Sequence, residues 1–81
     1  MKSLRSNKHQ KLIALLTTAR TKAGLTQQQL ADQLGKPQSY VAKYEGGERR
    51  VDVVEFLAIA DALGIDPANA VREGAAKYNS K

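Results

Sequence analysis

The sequence predicts a compact all-α domain of five short helices, for three reasons. The chain of 81 residues is long enough for one small core and too short for two lobes around a catalytic cleft. Apolar residues recur at helical spacing in successive segments, and no segment shows the alternation of a strand. Capping residues and glycines separate these segments, and without cysteine the packing of helices has to hold the fold.

Helix one is predicted from about Lys8, and Gly24 can end it as a C-terminal cap. Residues 1–7 show no periodicity and are expected to form a flexible basic arm. The domain proper is expected over residues 8–66, followed by a C-terminal helix and tail over residues 67–81. The apolar residues of helix one are Leu12, Ile13, Leu15, Leu16 and Ala19.

Helix two is predicted to begin after Thr26. Thr26 can cap the backbone N–H of Gln29, and Gln29 can reach back to complete a capping box. Leu25 can pack on Leu30 across this cap. The helix is expected to stop at Gly35, which tolerates left-handed backbone. Its buried stripe should consist of Leu30, Ala31 and Leu34.

Helix three is predicted from about Pro37 to Glu45, because proline suits the first position of a helix, where no N–H is needed. Val41 and Tyr44 should face the core. The glycine pair at 46–47 ends the helix. Gly35 and these inward residues together specify a tight bend between helices two and three.

Helix four is expected to begin with Asp52 at the N-cap and Glu55 three residues later, and to end at Gly64. Its apolar stripe should comprise Val53, Phe56, Leu57, Ala60 and Leu63. A fifth helix should run from Pro67 to about Lys77. It carries an apolar set at Val71, Ala75 and Tyr78.

Charge is distributed unevenly along the chain, whose net charge is +5. Residues 1–24 contain lysines and arginines and no acid, whereas acids outnumber bases from residue 51 onward. This asymmetry is expected if one face meets a polyanion. A basic domain with no polyanion partner is the alternative.

Several function classes find no support in the sequence. His9 has no second histidine or cysteine at ligand spacing, so we expect a surface histidine and no metal or other cofactor. No nucleophile or acid–base arrangement suggests an enzyme, since Asp52 and Glu55 are explained as caps. No apolar run approaches the roughly 20 residues that span a bilayer, and no secretory signal is recognisable. We therefore expect no membrane contact and a cytoplasmic protein.

The stretches GLTQQQLADQLGKPQSYVAKYEGGERR and VVEFLAIADALGID resemble the lambda-repressor-like, Cro/repressor-type helix-turn-helix regulators, also called the xenobiotic-response-element family. The resemblance covers roughly residues 8–66. The family's pattern of Gln, Ala, Gly and Val is met by Gln27, Ala31, Gly35 and Val41. It implies a helix-turn-helix formed by helices two and three, with helix three in the DNA major groove.

The resemblance also implies roles for individual residues. Gln38, Ser39 and Lys43 match base-reading positions, and their side chains can pair with base edges. Gln27 matches a phosphate-gripping glutamine. The remaining phosphate contacts are expected at Lys36, Tyr40, Arg49 and Arg50. Arg20 and Glu45 match a structural pair that ties helix one to helix three. The alternative for the base-reading set is a solvated helix face.

The resemblance implies a sequence-specific regulator of transcription that binds double-stranded DNA, with a repressor as the expected kind, associated with the nucleoid when bound to DNA. Because one recognition helix discriminates too little, we expect a homodimer on a palindromic operator. Candidate dimer residues are Val71, Ala75 and Tyr78, although helix five could instead pack them onto its own core. The alternative function is a protein-interaction module, antitoxin-like or an adaptor subunit, with a protein as its main partner.

Overall fold

The computed structural model describes the backbone of residues 7–79 and the side chains of residues 7–73. Five α-helices follow one another, and residues 7–79 contain no strand. This confirms the predicted all-α class and the number of helices. In chain order the helices are α1 (Asn7–Lys22), α2 (Gln27–Leu34), α3 (Gln38–Glu45), α4 (Val53–Leu63) and α5 (Pro67–Asn79).

Both predicted capping boxes are confirmed. The Thr26 hydroxyl accepts a hydrogen bond from the Gln29 backbone N–H at 3.0 Å, and the Gln29 side chain accepts one from the Thr26 N–H at 2.9 Å. Asp52 and Glu55 repeat the exchange at the start of α4, at 2.7 and 2.9 Å. A cap of this kind stabilises a helix by about 1 kcal/mol, so the starts of α2 and α4 are well defined.

The turn between α2 and α3 is made by Gly35, whose φ of 69° lies in the left-handed region. The following Lys36 N–H donates to the Ala31 carbonyl at 3.0 Å, which closes the end of α2. Pro37 has φ −71° and ψ 156°, so it is the extended N-cap of α3 and not its first helical residue. Helix α3 therefore begins one residue later than predicted, at Gln38.

The core lies where α1, α2, α3 and α4 meet. Its largest fully buried side chains come from all four helices, and each contributes about 1.5–3 kcal/mol through burial. Ala31 is also fully buried, as expected for the small residue of the α2–α3 pair. The large buried side chains are Tyr44, Leu16, Leu30, Ile59 and Val41.

Two expectations about burial were wrong. Val53 and Leu57 do not belong to the buried stripe of α4: they are 72% and 48% exposed, and Ile59 lies in the core instead. His9 is not a surface residue, because it is only 6% exposed. It lies four residues before Ile13 on α1, so helical spacing places it on the buried face of that helix.

The ends of the chain bear on three further expectations. Residues 1–6 of the predicted arm and the side chains of Ala75 and Tyr78 lie outside what the structure describes. Val71, the other candidate dimer residue, is exposed on α5. Within the described residues, no helix has the length and apolar character needed to cross a membrane.

Candidate nucleic-acid interface

A chain of polar side chains links the interior of the domain to the start of α3. Arg20 Nε donates to Glu45 Oε2 at 2.8 Å, and Arg20 Nη2 donates to Glu45 Oε1 at 3.0 Å. Gln27 Nε2 donates to the same Glu45 Oε1 at 2.9 Å. Gln38 Nε2 then donates to Gln27 Oε1 at 2.7 Å. The predicted Arg20–Glu45 pair is confirmed, and it is one end of a longer connection.

The charged groups at the inner end of this series of side chains determine which group donates in each hydrogen bond. A carboxylate only accepts, so Glu45 requires the NH₂ group of Gln27. The oxygen of Gln27 must then face Gln38, which has to present its own NH₂ group. Gln38 keeps its oxygen and a second N–H for another molecule. That pair of groups matches the donor and acceptor of an adenine edge.

The Arg20–Glu45 ion pair is well shielded from water. The side chain of Arg20 is 13% exposed and that of Glu45 is 7% exposed. Arg20 Nη1 also donates to the Leu25 carbonyl at 2.7 Å, in the loop before α2. The two charges thus join α1, the α1–α2 loop and the end of α3 at one point.

The predicted base-reading residues lie on the outer side of α3. Gln38, Ser39 and Lys43 are all exposed, while Val41 and Tyr44 of the same helix are buried. Ser39 and Lys43 are four residues apart and share one helix face. The N-cap Pro37 offers no side-chain hydrogen bond to the first turn. The first turn of α3 therefore has exposed polar side chains and no side-chain cap.

Tyr40 lies between two cations at the edge of this surface. Lys36 Nζ lies 5.4 Å from the centre of its ring, and the guanidinium carbon of Arg49 lies 4.9 Å from it. The ring also meets Tyr44 edge to face, with centroids 5.7 Å apart. Burial raises the pKa of the Tyr40 hydroxyl, so it stays a neutral donor at ordinary pH.

Arg49 is in addition held by a carboxylate from α4. Its Nη2 donates to Glu55 Oε2 at 2.9 Å and its Nη1 to Glu55 Oε1 at 3.3 Å. The hydrogen bonds that Arg49 donates to Glu55 hold the pKa of the Glu55 carboxyl below its ordinary value and raise the pKa of the Arg49 guanidinium. The neighbouring Arg50 is exposed. Arg49 and Arg50 thus lie in different surroundings, although the sequence predicts the same role, a phosphate contact, for both.

The site residues predicted from the sequence come together on one side of the domain around α3, apart from the candidate dimer residues. The sequence did not predict that Gln27 bonds to both Glu45 and Gln38, or that Glu55 pairs with Arg49. Glu55 was recognised only as a capping residue, because nothing in the local sequence links it to the loop before α4. In the described part of the chain, no cluster of His, Cys, Asp and Glu could hold a metal ion.

Comparison with known proteins shows the family of the chain. The helix-turn-helix family HTH_3 matches residues 16–68. An XRE-family like protein from Pseudomonas syringae pv. tomato str. DC3000 is 42% identical, and the alignment covers 94% of this chain and 93% of that chain with a TM-score of 0.87. The restriction-modification controller protein C.AhdI from Aeromonas hydrophila is 40% identical over 74% of this chain and 87% of its own, with a TM-score of 0.68.

A third structure, the clp gene regulator ClgR from C. glutamicum, shows the fold alone, because it is 24% identical. Its alignment covers 91% of this chain and 96% of its own, with a TM-score of 0.78. No curated protein sequence matches the chain significantly. The family match spans more than half of the chain, and the bacterial structures at 42% and 40% identity agree with it. The chain therefore belongs to the XRE-type helix-turn-helix family of DNA-binding transcription regulators.

Proposed function

We propose that this protein is a sequence-specific repressor that inserts α3 into the major groove of double-stranded DNA. The observation that carries the proposal is the exposed Gln38 side chain, which Gln27 holds in place at the start of α3 by a bond of 2.7 Å. A side chain with a fixed donor and acceptor can discriminate one base edge from another. As a reader of chromosomal DNA, the protein would act in the cytoplasm.

Three side chains of α3 are proposed to read bases. Gln38 would pair with adenine through its free oxygen and second N–H, and Lys43 would donate to guanine. Ser39 would donate to or accept from the base beside them. All three are exposed, and Ser39 and Lys43 share one face of the helix.

The phosphates are proposed to bind around this set. Gln27 opens α2, where helix N–H groups favour an anion. Lys36 and Tyr40 lie side by side at the edge of α3, and Arg50 lies in the loop that follows. Such contacts fix the position of the helix and supply salt-dependent affinity with little sequence preference.

We propose further that the protein acts as a homodimer on a palindromic operator, because one recognition helix covers too few base pairs to find a site in a genome. Val53, Val54 and Leu57 lie exposed on α4, at 72%, 75% and 48%. Contact between two copies at α4 would remove these apolar side chains from water, and Val71 of α5 offers a second exposed apolar residue.

Selection of bound duplexes from a random DNA pool tests the proposal. A palindromic consensus is expected, since each copy would read one half-site.

Gln38→Ala or Lys43→Ala should then lose about 1–3 kcal/mol of discrimination at particular bases. Arg50→Ala should weaken binding to all sequences. It should also make the slope of the logarithm of the binding constant against the logarithm of the salt concentration shallower by about 0.9. Lys22→Ala is the matched control, because Lys22 lines a groove between α1 and α5.

Two results would contradict the proposal. Absence of duplex binding even at low salt would contradict the proposed DNA recognition and favour the alternative function, a protein-interaction module. The apolar residues of α4 would then be the surface that binds the partner protein. A monomer in sedimentation experiments with and without DNA would remove the dimer. Val54→Asp and Val71→Asp, compared in the same experiment, separate the α4 surface from the α5 candidate.

A further inference from the structure

Glu55 is placed where α4 begins, beside the loop that carries Arg49 and Arg50. Its carboxylate accepts from both terminal nitrogens of Arg49, at 2.9 and 3.3 Å, and from the Asp52 backbone N–H at 2.9 Å. Arg49 has a second contact, because its guanidinium carbon lies 4.9 Å from the centre of the Tyr40 ring. Arg49 is thus held by a carboxylate of α4 and by an aromatic ring of α3.

We propose that Glu55 sets how many cations this surface offers to DNA, by holding Arg49 on the Tyr40 ring and away from the phosphates. Glu55 is then a positioning residue that acts through Arg49. The inference rests on the proposed DNA contact of this surface. According to this inference, Lys36 and Arg50 are the cations near Tyr40 that meet phosphate. Arg49 is no longer among the predicted phosphate contacts.

Competition for one guanidinium is the physical basis of this inference. Glu55 occupies the end-on pair of donors, Nη1 and Nη2, with which Arg49 could otherwise grip a phosphate, and its charge offsets the charge that would attract one. The carboxylate belongs to the same molecule and is close by, so it competes at a high effective concentration. Stacking over Tyr40 adds a second attraction. The side chains are 36% exposed for Arg49 and 23% for Glu55, so salt screens the pair less than a fully solvated one.

The number of phosphates neutralised can be measured directly. Each contact with B-DNA contributes about −0.9 to the slope of the logarithm of the binding constant against the logarithm of the salt concentration. If Arg49 is withheld, its replacement leaves the slope unchanged. If Arg49 is released from Glu55 and reaches a phosphate, the slope should become steeper by about 0.9.

Glu55→Gln is the variant that should release Arg49. Glutamine suits the third position of a helix, so its side-chain oxygen can still accept from the Asp52 N–H and the cap of α4 is kept. The charge that holds the guanidinium is lost. Circular dichroism and urea unfolding would verify that this variant and the others are folded before their binding is compared.

The experiment uses the full chain and a duplex of scrambled sequence, with binding measured over a salt series. The variants are Arg49→Gln, Glu55→Gln, the double variant and Arg50→Gln. We expect Arg49→Gln to keep the wild-type slope, Glu55→Gln to steepen it by about 0.9, and Arg50→Gln to flatten it by about 0.9. In the double variant the steepening should disappear, because the released guanidinium is absent.

Three outcomes would overturn the inference. Arg49→Gln could flatten the slope as Arg50→Gln does, which would make Arg49 a phosphate contact. Glu55→Gln could leave the slope unchanged. The steepening could also persist in the double variant, in which case loss of repulsion between Glu55 and DNA would explain it. Failure of the wild type to bind at any salt concentration would instead contradict the proposed function, so the two failures are distinguishable.

Discussion

Gln38, the first residue of α3, donates a hydrogen bond of 2.7 Å to Gln27, the first residue of α2. The two helices of the bend are therefore joined at their starts by side chains as well as by the turn at Gly35 between them. Since Gln27 is in turn bonded to the buried Glu45, the orientation of the exposed Gln38 amide depends on groups inside the domain.

Gln27→Ala should reduce base discrimination although Gln27 is not a proposed base reader. Without its oxygen, the Gln38 side chain is free to rotate, and discrimination at the base that Gln38 reads should fall by up to about 1–3 kcal/mol. Binding to a panel of operator variants measures this. Gln28→Ala is the matched control, because the Gln28 side chain donates to Asp32 on the same helix at 2.8 Å. Unchanged discrimination in Gln27→Ala would show that Gln38 needs no support.

The Arg20–Glu45 and Arg49–Glu55 ion pairs should differ in their contribution to stability. Arg20→Ala or Glu45→Ala leaves a largely buried charge without its partner, so the free energy of unfolding should fall by up to about 3–5 kcal/mol, the loss typical of fully buried pairs. Arg49→Ala should cost below about 1 kcal/mol, because that pair is more exposed. Urea unfolding at neutral pH measures both. Equal losses in the two pairs would mean that burial does not decide the difference.

Tyr44→Phe should not destabilise the protein. The Tyr44 hydroxyl is buried and finds no hydrogen-bond partner among the described residues. Burial of an unpaired hydroxyl costs about 1–3 kcal/mol, so its removal should leave the free energy of unfolding unchanged or raise it. Tyr44→Ala is the contrasting variant and should lose about 3–5 kcal/mol by analogy with other large-to-small core changes. A clear loss of stability in Tyr44→Phe would show that the hydroxyl is bonded in solution, to water for example.

Acid should weaken the contact between α4 and the loop that precedes it. Arg49 lowers the pKa of the Glu55 carboxyl below its ordinary value of 4.5, chiefly by hydrogen bonding. A carboxyl with a lower pKa in the folded state adds stability above its unfolded pKa, and this stability is lost as the pH falls through the folded pKa. The wild type should therefore lose more stability than Glu55→Gln below about pH 4.5, by less than about 1 kcal/mol. Urea midpoints of both proteins over a pH series measure the difference, and parallel pH curves would contradict it.

Local signals in the sequence predicted most of the fold. Thr26, Gly35 and Asp52 act over three or four residues, so their effects on helix ends can be read without knowledge of the tertiary structure. The face that α4 buries could not be read in this way. Its only charged residues are Glu55 and Asp61, and apolar residues surround the helix, so packing against other helices decides that Ile59 is buried and Val53 is not.

The candidate site was predictable as a set of residues and not as a set of contacts. The resemblance to helix-turn-helix regulators located Gln38 and Lys43 on one helix and indicated the Arg20–Glu45 pair. The pairing of Arg49 with Glu55 joins a loop to a helix six residues later, and its geometry depends on how α4 packs. Spacing in the sequence gives no preference for Arg49 over Arg50 as the partner of that carboxylate.

The bond between Gln27 and Gln38 also affects the entropy of recognition. An unsupported glutamine on a solvated helix exchanges among several rotamers, and ordering such a side chain at an interface costs about 0.5–1.5 kcal/mol. Gln38 is already restrained in the free protein, so folding has taken up part of this cost before any DNA is met. Part of the order expected in the complex is therefore built into the unbound domain.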